Sequence, residues 1–166
     1  MIFKNLTKNF YISSLIIFVI FLLDRISKIY VINLASKNYT SELFSSKFLN
    51  INLIWNEGIA FGLLSFDQSD LYNILTSIIA LIIVIVFFMI VKNNNIKRYP
   101  LLMIFGGAIG NLYDRIFFKA VPDFIDFHVG EFHWFIFNVA DIFISIGVIF
   151  MILLELIGSN KDNEKI

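Results

Sequence analysis

The sequence predicts an all-α integral membrane protein: one domain over residues 1–166, with four transmembrane helices joined by short interfacial segments. Three observations carry this reading. Hydrophobic residues make up 58% of the 166 and charged residues only 16%, whereas a soluble domain averages about 25% charged. Mean hydropathy is +0.82. The apolar residues gather into four runs, each near the roughly 20 residues a helix needs to cross a bilayer. Twenty Phe against two Pro fit helices solvated by lipid. These features exclude a soluble domain and a disordered chain. A formal net charge of zero leaves no basic footprint for phosphates, so nucleic acid is excluded as a partner. The absence of Cys removes disulfides, thiolate metal sites and thiol nucleophiles.

The first run spans about Tyr11 to Leu34, preceded by Lys4 and Lys8. A cleavable signal peptide is the alternative. Its apolar region would be about 7–15 residues and free of charge, whereas this run continues past Asp24, Arg25 and Lys28, so it reads as an uncleaved helix. Residues 38–70 are mixed. Leu49, Ile51, Leu53 and Trp55 alternate with Asn50, Asn52 and Ile54, the period of a short half-buried strand. The turn-rich stretch Asn56-Glu57-Gly58-Ile59-Ala60-Phe61-Gly62 follows. The second span, about 71–91, is almost wholly aliphatic or Phe, and a polar loop from Lys92 to Arg98 closes it. The third span covers about 99–118, residues 119–134 form a connection, and the fourth span covers about 135–157 before a polar tail.

Lys and Arg in the flanks set orientation. Lys4, Lys8, Lys92, Lys97, Arg98, Lys161 and Lys165 lie on one side, against Lys37, Lys47 and Lys119 on the other. Seven against three puts both termini and the middle loop in the cytoplasm. Trp55 and Trp134 fall in the outer connections, where interface anchors belong.

The polar residues of the spans are one-sided. Asp24, Arg25 and Lys28, then Asn111, Asp114 and Arg115, then Asp123 and Asp126, then Asn138 and Asp141 all fall near the outer leaflet. The inner halves hold little beyond Glu155. A charge at the bilayer centre costs about 2.5–3.5 kcal/mol on insertion scales, and snorkelling charges would scatter to both faces, so the clustering reads as a site. Asp24 and Lys28 stand at i,i+4 in the favoured order for an ion pair. Asn111 shares a helix face with Asp114 and Arg115, and Asn138 shares one with Asp141. Gly106 and Gly110 form a G-x-x-x-G step, which lets the third span approach a neighbour closely and draws the carboxylates of spans three and four together.

Elimination narrows the chemistry. There is no H-E-x-x-H motif and no G-x-S-x-G elbow. His128 and His133 could bind a metal with Asp123 or Asp126, but a His pair in a loop reads as surface, and no metal is assigned. Carboxylates remain. Two held a few ångströms apart cannot both ionise, so they share a proton; one activates water while the other polarises a carbonyl. Asp123 and Asp141 are the chosen pair, although the residues alone do not select Asp123 over Asp114 or Asp126. Asp114 beside Arg115 reads as a paired structural acid. The rival reading is a small proton- or ion-coupled carrier, since intramembrane Asp and Arg also mark transport paths; a further rival is an assembly subunit without catalysis. A carrier would carry polar groups through the full membrane depth and often internal repeats, neither of which is present.

Five stretches then resemble the lipoprotein signal peptidase family, also called signal peptidase II: Asp24-Arg25-Ile26-Ser27-Lys28, Asn56 to Gly62, Gly106 to Arg115, Val121 to Phe127, and Phe137 to Asp141. They occur in the family's order and cover nearly the whole chain. The resemblance implies an aspartic peptidase of the bacterial inner membrane with its active site near the periplasmic face. Asp123 and Asp141 would form the catalytic dyad. Asn56, Asn111, Arg115 and Asn138 would line the site, with Asp24, Lys28 and Asp114 supporting it. Gly58 and Gly62 would act as hinges in an outer segment over the site, and residues 38–68 would contribute a small outer β-cradle. The implied substrate is a diacylglyceryl-modified prolipoprotein in contact with membrane lipids, cut on the amino side of the lipidated cysteine. No cofactor is implied, globomycin is the implied inhibitor, and one chain carries every needed group, as a monomer would. Two departures stand out. Lys119 replaces a usual Gly, and Pro122 a usual β-branched residue; both fall in the segment that delivers Asp123.

Overall fold

A computed structural model describes residues 2–58 and 68–163, with side chains described over 9–58 and 70–157. The elements in chain order are helix α1 (Ile2–Asn38), strands β1 (Glu42–Ser45) and β2 (Leu49–Asn56), helices α2 (Gln68–Lys92) and α3 (Arg98–Phe118), strands β3 (Val121–Val129) and β4 (Phe132–Phe137), and helix α4 (Val139–Asn163). Each apolar run of the sequence falls wholly or largely within a helix. The strand over 49–55 is β2.

Two expectations need correction. The fold is mostly helical rather than all-α, because the connection at 119–134 is not a loop. It folds as the β3–β4 hairpin and completes a four-stranded antiparallel sheet in the order β1-β2-β3-β4. The fourth helix also begins later, at Val139. Phe135, Ile136 and Phe137 belong to β4; an unbroken apolar triplet at a boundary carries no period that separates strand from helix. Asn138 makes that boundary.

Helix α3 is the hub, packing against α1, α2 and α4. Its buried Leu101 and Leu102 join Val86 and Ile90 of α2 in the apolar core, with Ile16 and Ile17 of α1 against them. Elsewhere large apolar side chains face outward, such as Ile78, Leu81, Ile85 and Phe88 on α2. Exposed apolar faces of this extent fit lipid rather than water. By length and composition α2, α3 and α4 can each cross a membrane. Helix α1 has 37 residues, about 55 Å at 1.5 Å per residue, and carries the Asp24–Arg25–Lys28 charges.

Glycines set the helix spacing differently from the expectation. The Gly106/Gly110 face meets α1, not α4: a Cβ on Gly106 would lie 3.0 Å from Ile20 Cβ, and one on Gly110 would lie 2.6 Å from Asp24 Oδ2. Gly107 makes the close approach to α4, where a Cβ would lie 2.5 Å from the Ala140 carbonyl oxygen. Spans three and four are therefore drawn together by Gly107, one position along from the step visible in the sequence.

Candidate active site

Strand β3 and the first turn of α4 deliver the two acids. On β3, Asp123 pairs in register with Ile54 of β2, and Val121 with Asn56. A bulge in β2 between Ile51 and Ile54 shifts the ladder, the device by which strands re-aim a side chain. Asn56 thereby reaches Asp123, its Nδ2 donating to Asp123 Oδ2 at 2.8 Å. Its own Oδ1 accepts the N–H of Gly58 at 2.7 Å, so both ends of the amide are used and its orientation is determined.

Asp141 sits in a capping box. Asn138 precedes the first turn of α4 and accepts the Asp141 N–H on Oδ1 at 3.2 Å, while its own backbone N–H donates to Asp141 Oδ2 at 3.1 Å. The Asn138 Nδ2 donates to Asp123 Oδ1 at 2.6 Å. One fully buried asparagine thus ties the two carboxylates together.

A second amide steadies Asp141 from α3. Asn111 Nδ2 donates to Asp141 Oδ1 at 2.8 Å, and Asn111 Oδ1 accepts from Lys28 Nζ at 2.8 Å. An ammonium group can only donate, so Lys28 dictates which end of Asn111 faces the acid. Lys28 is 1% exposed and also contacts Asp24 Oδ1 at 2.9 Å and Asp114 Oδ2 at 2.7 Å. Arg25 completes the cluster, donating to Asp24 Oδ2 at 2.7 Å and Asp114 Oδ2 at 2.6 Å. Two cations face two fully buried carboxylates, so the cluster is neutral. The other oxygen of Asp24 accepts the Ala140 N–H at 3.1 Å, which fastens α1 to the residue preceding Asp141.

The predicted site residues thus fall into two groups. Asp24, Lys28, Asn56, Asn111, Asp114, Asp123, Asn138 and Asp141 form one connected network. Arg115 is apart from it. Its guanidinium lies under Gly58, where a Cβ would stand 2.8 Å from Arg115 Nη1, and its carbonyl accepts from the Tyr72 hydroxyl at 2.9 Å. The expected partner of Asp114 is therefore corrected from Arg115 to Arg25 and Lys28. Arg25, which the sequence places in the outer cluster without a role of its own, joins Lys28 here from three residues away on one helix face. Gly58 takes a φ of +76, a conformation glycine adopts without steric cost. Gly62, with Ile59 to Phe61, lies outside the described residues.

The departures are also legible. Lys119 caps α3 with a φ of +59 in the left-handed region, the position that helices usually give to glycine. Pro122 is the second residue of β3 and fully buried, near the strand start where proline's missing N–H is tolerated.

Around the acids the surface is concave. A cavity of about 600 Å³ is lined by Asp123 and Asp141 with Trp134, Phe135, Ile142 and Ile146 among its apolar walls. A second hollow, lined by Trp55, Glu57 and Gly58, also reaches Asn56 and Asp123. Burial pushes the Asp123 carboxyl above the ordinary carboxylate range. The Asn56 and Asn138 hydrogen bonds pull it back, and the neighbouring Asp141 charge adds to the rise. At Asp126 burial also acts upward, but the hydrogen bonds from His133 and Asn50 outweigh it and hold that carboxyl below the ordinary range. A buried acid beside a half-buried one at the mouth of a mostly apolar cavity can carry acid–base chemistry.

The sequence profile described as signal peptidase (SPase) II matches residues 16–157. The chain belongs to the signal peptidase II family. It is 55% identical over 159 residues to the lipoprotein signal peptidase of Pelagibacter ubique (strain HTCC1062), covering 95% of this chain and 96% of that protein. It is 43% identical over 137 residues to the lipoprotein signal peptidase of Aquifex aeolicus (strain VF5), covering 81% and 79%. A solved structure of a bacterial membrane enzyme superposes with a TM-score of 0.70 at 31% identity, over 87% of this chain and 91% of that one. Membership makes the chain an aspartic peptidase, and signal peptidase II acts by removing signal peptides from prolipoproteins.

Proposed function

We propose that this signal peptidase II cleaves diacylglyceryl-modified prolipoproteins on the amino side of the lipidated cysteine, with Asp123 and Asp141 as its catalytic dyad. The observation that carries the reading is the Asn138 bridge between the two carboxylates at the rim of the apolar cavity. The dyad shares one proton and titrates as a unit. The ionised carboxylate takes a proton from water as the water oxygen attacks the scissile carbonyl carbon. The protonated carboxylate gives its proton to the carbonyl oxygen, and the tetrahedral diol collapses with a proton passing to the leaving nitrogen. Asn111 and Asn138 each spend an N–H on a carboxylate, which fits a role in positioning the acids more than in binding the developing oxyanion.

In this reading the chain is one domain with four spans, both termini in the cytoplasm of a bacterial inner membrane and the sheet on the outer face. The length of α1 and the gathering of buried charge at one level support it. The Lys97–Glu155 pair at the far end is solvent-facing, with Glu155 70% exposed. The acyl chains of the substrate stay in lipid while the scissile bond reaches the dyad beside Trp134 and Phe135. Arg115 and Gly58 border the entry from the second hollow, and the enzyme works as a monomer.

The test is cleavage of a diacylglyceryl-modified prolipoprotein by the purified wild type, Asp123→Asn and Asp141→Asn, with and without globomycin. Wild-type turnover that globomycin blocks and both variants lack is the expected result. Substantial turnover in either folded variant removes the dyad, and no turnover by the folded wild type overturns the proposed substrate.

A further inference from the structure

We infer that Asp126, His128 and His133 form a binding site for a divalent metal ion of the zinc type on the β3–β4 hairpin, separate from the dyad. In sequence this His pair reads as loop surface, but the hairpin changes its meaning. His128 and His133 are directly paired across the antiparallel strands. Their rings stack at 4.9 Å between centroids and 17° between planes. A register shift between Asp126 and His128 inserts an extra residue on β4, which turns the cross-strand histidine toward the acid. His133 Nδ1 lies 3.0 and 2.9 Å from the two Asp126 oxygens. One ligand atom from each of the three residues falls within 4.8 Å of the other two.

The donor set fits the ion. Two imidazoles and one carboxylate suit zinc or copper, whereas calcium and magnesium take oxygen ligands. Tetrahedral zinc at about 2.0–2.1 Å from its ligands needs them roughly 3.3 Å apart, so small ring rotations close the set. Asp126 is already held for the purpose. It is 2% exposed, and Asn50 of β2 donates to its Oδ2 at 3.2 Å, the kind of outer contact that orients a ligating carboxylate. His128 Nδ1 is buried with no hydrogen-bond partner among the described residues, a cost a metal or a rotation toward one removes. The three groups lie on the sheet, beyond the helices, and Asp126 is three residues from Asp123 on the same strand. A bound ion therefore clamps β3 to β4 beside the site without entering its chemistry.

The experiment titrates untagged, metal-stripped full chain in detergent with zinc, following heat release and the thermal midpoint, and with copper as a spectroscopic probe. One zinc per chain, a thermal midpoint that rises with zinc, and a copper signal coupled to two imidazole nitrogens are expected. His128→Ala or His133→Ala should weaken zinc binding by more than about 100-fold, and Asn50→Ala by about 10–100-fold, the usual loss for an outer contact. His133→Gln keeps a polar group against Asp126 and guards against a folding defect; it should lose zinc while keeping the metal-free thermal midpoint. Absence of stoichiometric zinc on the wild type, or equal zinc affinity in the double variant His128→Ala/His133→Ala, overturns the site.

Discussion

The Nδ2 of Asn138 donates to Oδ1 of Asp123 at 2.6 Å, and the same residue caps the helix that begins two residues before Asp141. Helix capping and the link between the two carboxylates are thus one interaction set. Asn138→Ala should remove the bridge and leave Asp123 with one amide donor. Losing a buried hydrogen bond costs about 1–3 kcal/mol, so kcat/KM should fall roughly 10–100-fold, with a smaller drop in the thermal midpoint from the lost cap. Unchanged kcat/KM with a lowered midpoint would reduce Asn138 to a cap alone.

Asn56 makes a prediction about pH. Its hydrogen bond to Asp123 acts against burial, which holds that carboxyl above the ordinary range. Asn56→Ala should therefore raise the carboxyl further and move the pH–rate profile of cleavage to higher pH. Stability follows the same sign. An acid whose folded pKa is raised binds more protons folded than unfolded, so its contribution declines as pH rises from the ordinary 3.8 through the raised value. The loss should extend to higher pH in the variant. A profile displaced downward would contradict the assignment of the Asn56 hydrogen bond as a contact that favours the ionised carboxylate.

The buried cluster of Asp24, Arg25, Lys28 and Asp114 is structural. Asp114→Asn leaves two cations facing one carboxylate, and breaking a buried pair typically costs about 3–5 kcal/mol. Membrane accumulation and the thermal midpoint should drop, while the folded fraction keeps most of its turnover, because Lys28 still orients Asn111. Normal accumulation with complete loss of turnover would move Asp114 into the chemistry.

Much of this was legible in the sequence because lipid makes hydropathy decisive: the apolar runs are the helices, and polar groups inside them stand out. Asp24, Lys28, Asn111, Asn138 and Asp141 were visible for that reason, and their spacing carried the helix faces. The hairpin was not. Val121 to Phe137 mixes apolar and polar residues, and the extra residue on β4 between His133 and Ile136 breaks the strict alternation that marks a strand. With the hairpin hidden, His128 and His133 read as loop surface. Partner choice was also hidden. Asp114 lies beside Arg115 in sequence, yet pairs with Arg25 and Lys28 on another helix, a fact only packing decides.

The last prediction separates two adjacent glycines. Gly106 and Gly107 share a helix turn but face different neighbours. A methyl on Gly106 would meet Ile20 Cβ at 3.0 Å and Cγ2 at 3.1 Å, so α1 has to give by a few tenths of an ångström. A methyl on Gly107 would meet the Ala140 carbonyl oxygen at 2.5 Å and Ile144 Cγ1 at 2.9 Å. Backbone in the first turn of a helix yields only if the helix moves, and the next residue along is Asp141. Gly106→Ala should cost about 1–3 kcal/mol of stability, the usual penalty for overpacking, and leave turnover largely intact. Gly107→Ala should displace Asp141 from Asn111 and Asp123, and a misplacement near 1 Å can cost about 10²-fold in rate. Measuring kcat/KM and the thermal midpoint for both variants distinguishes them. Equal turnover in the two would mean that the α3–α4 approach does not set the geometry of the dyad.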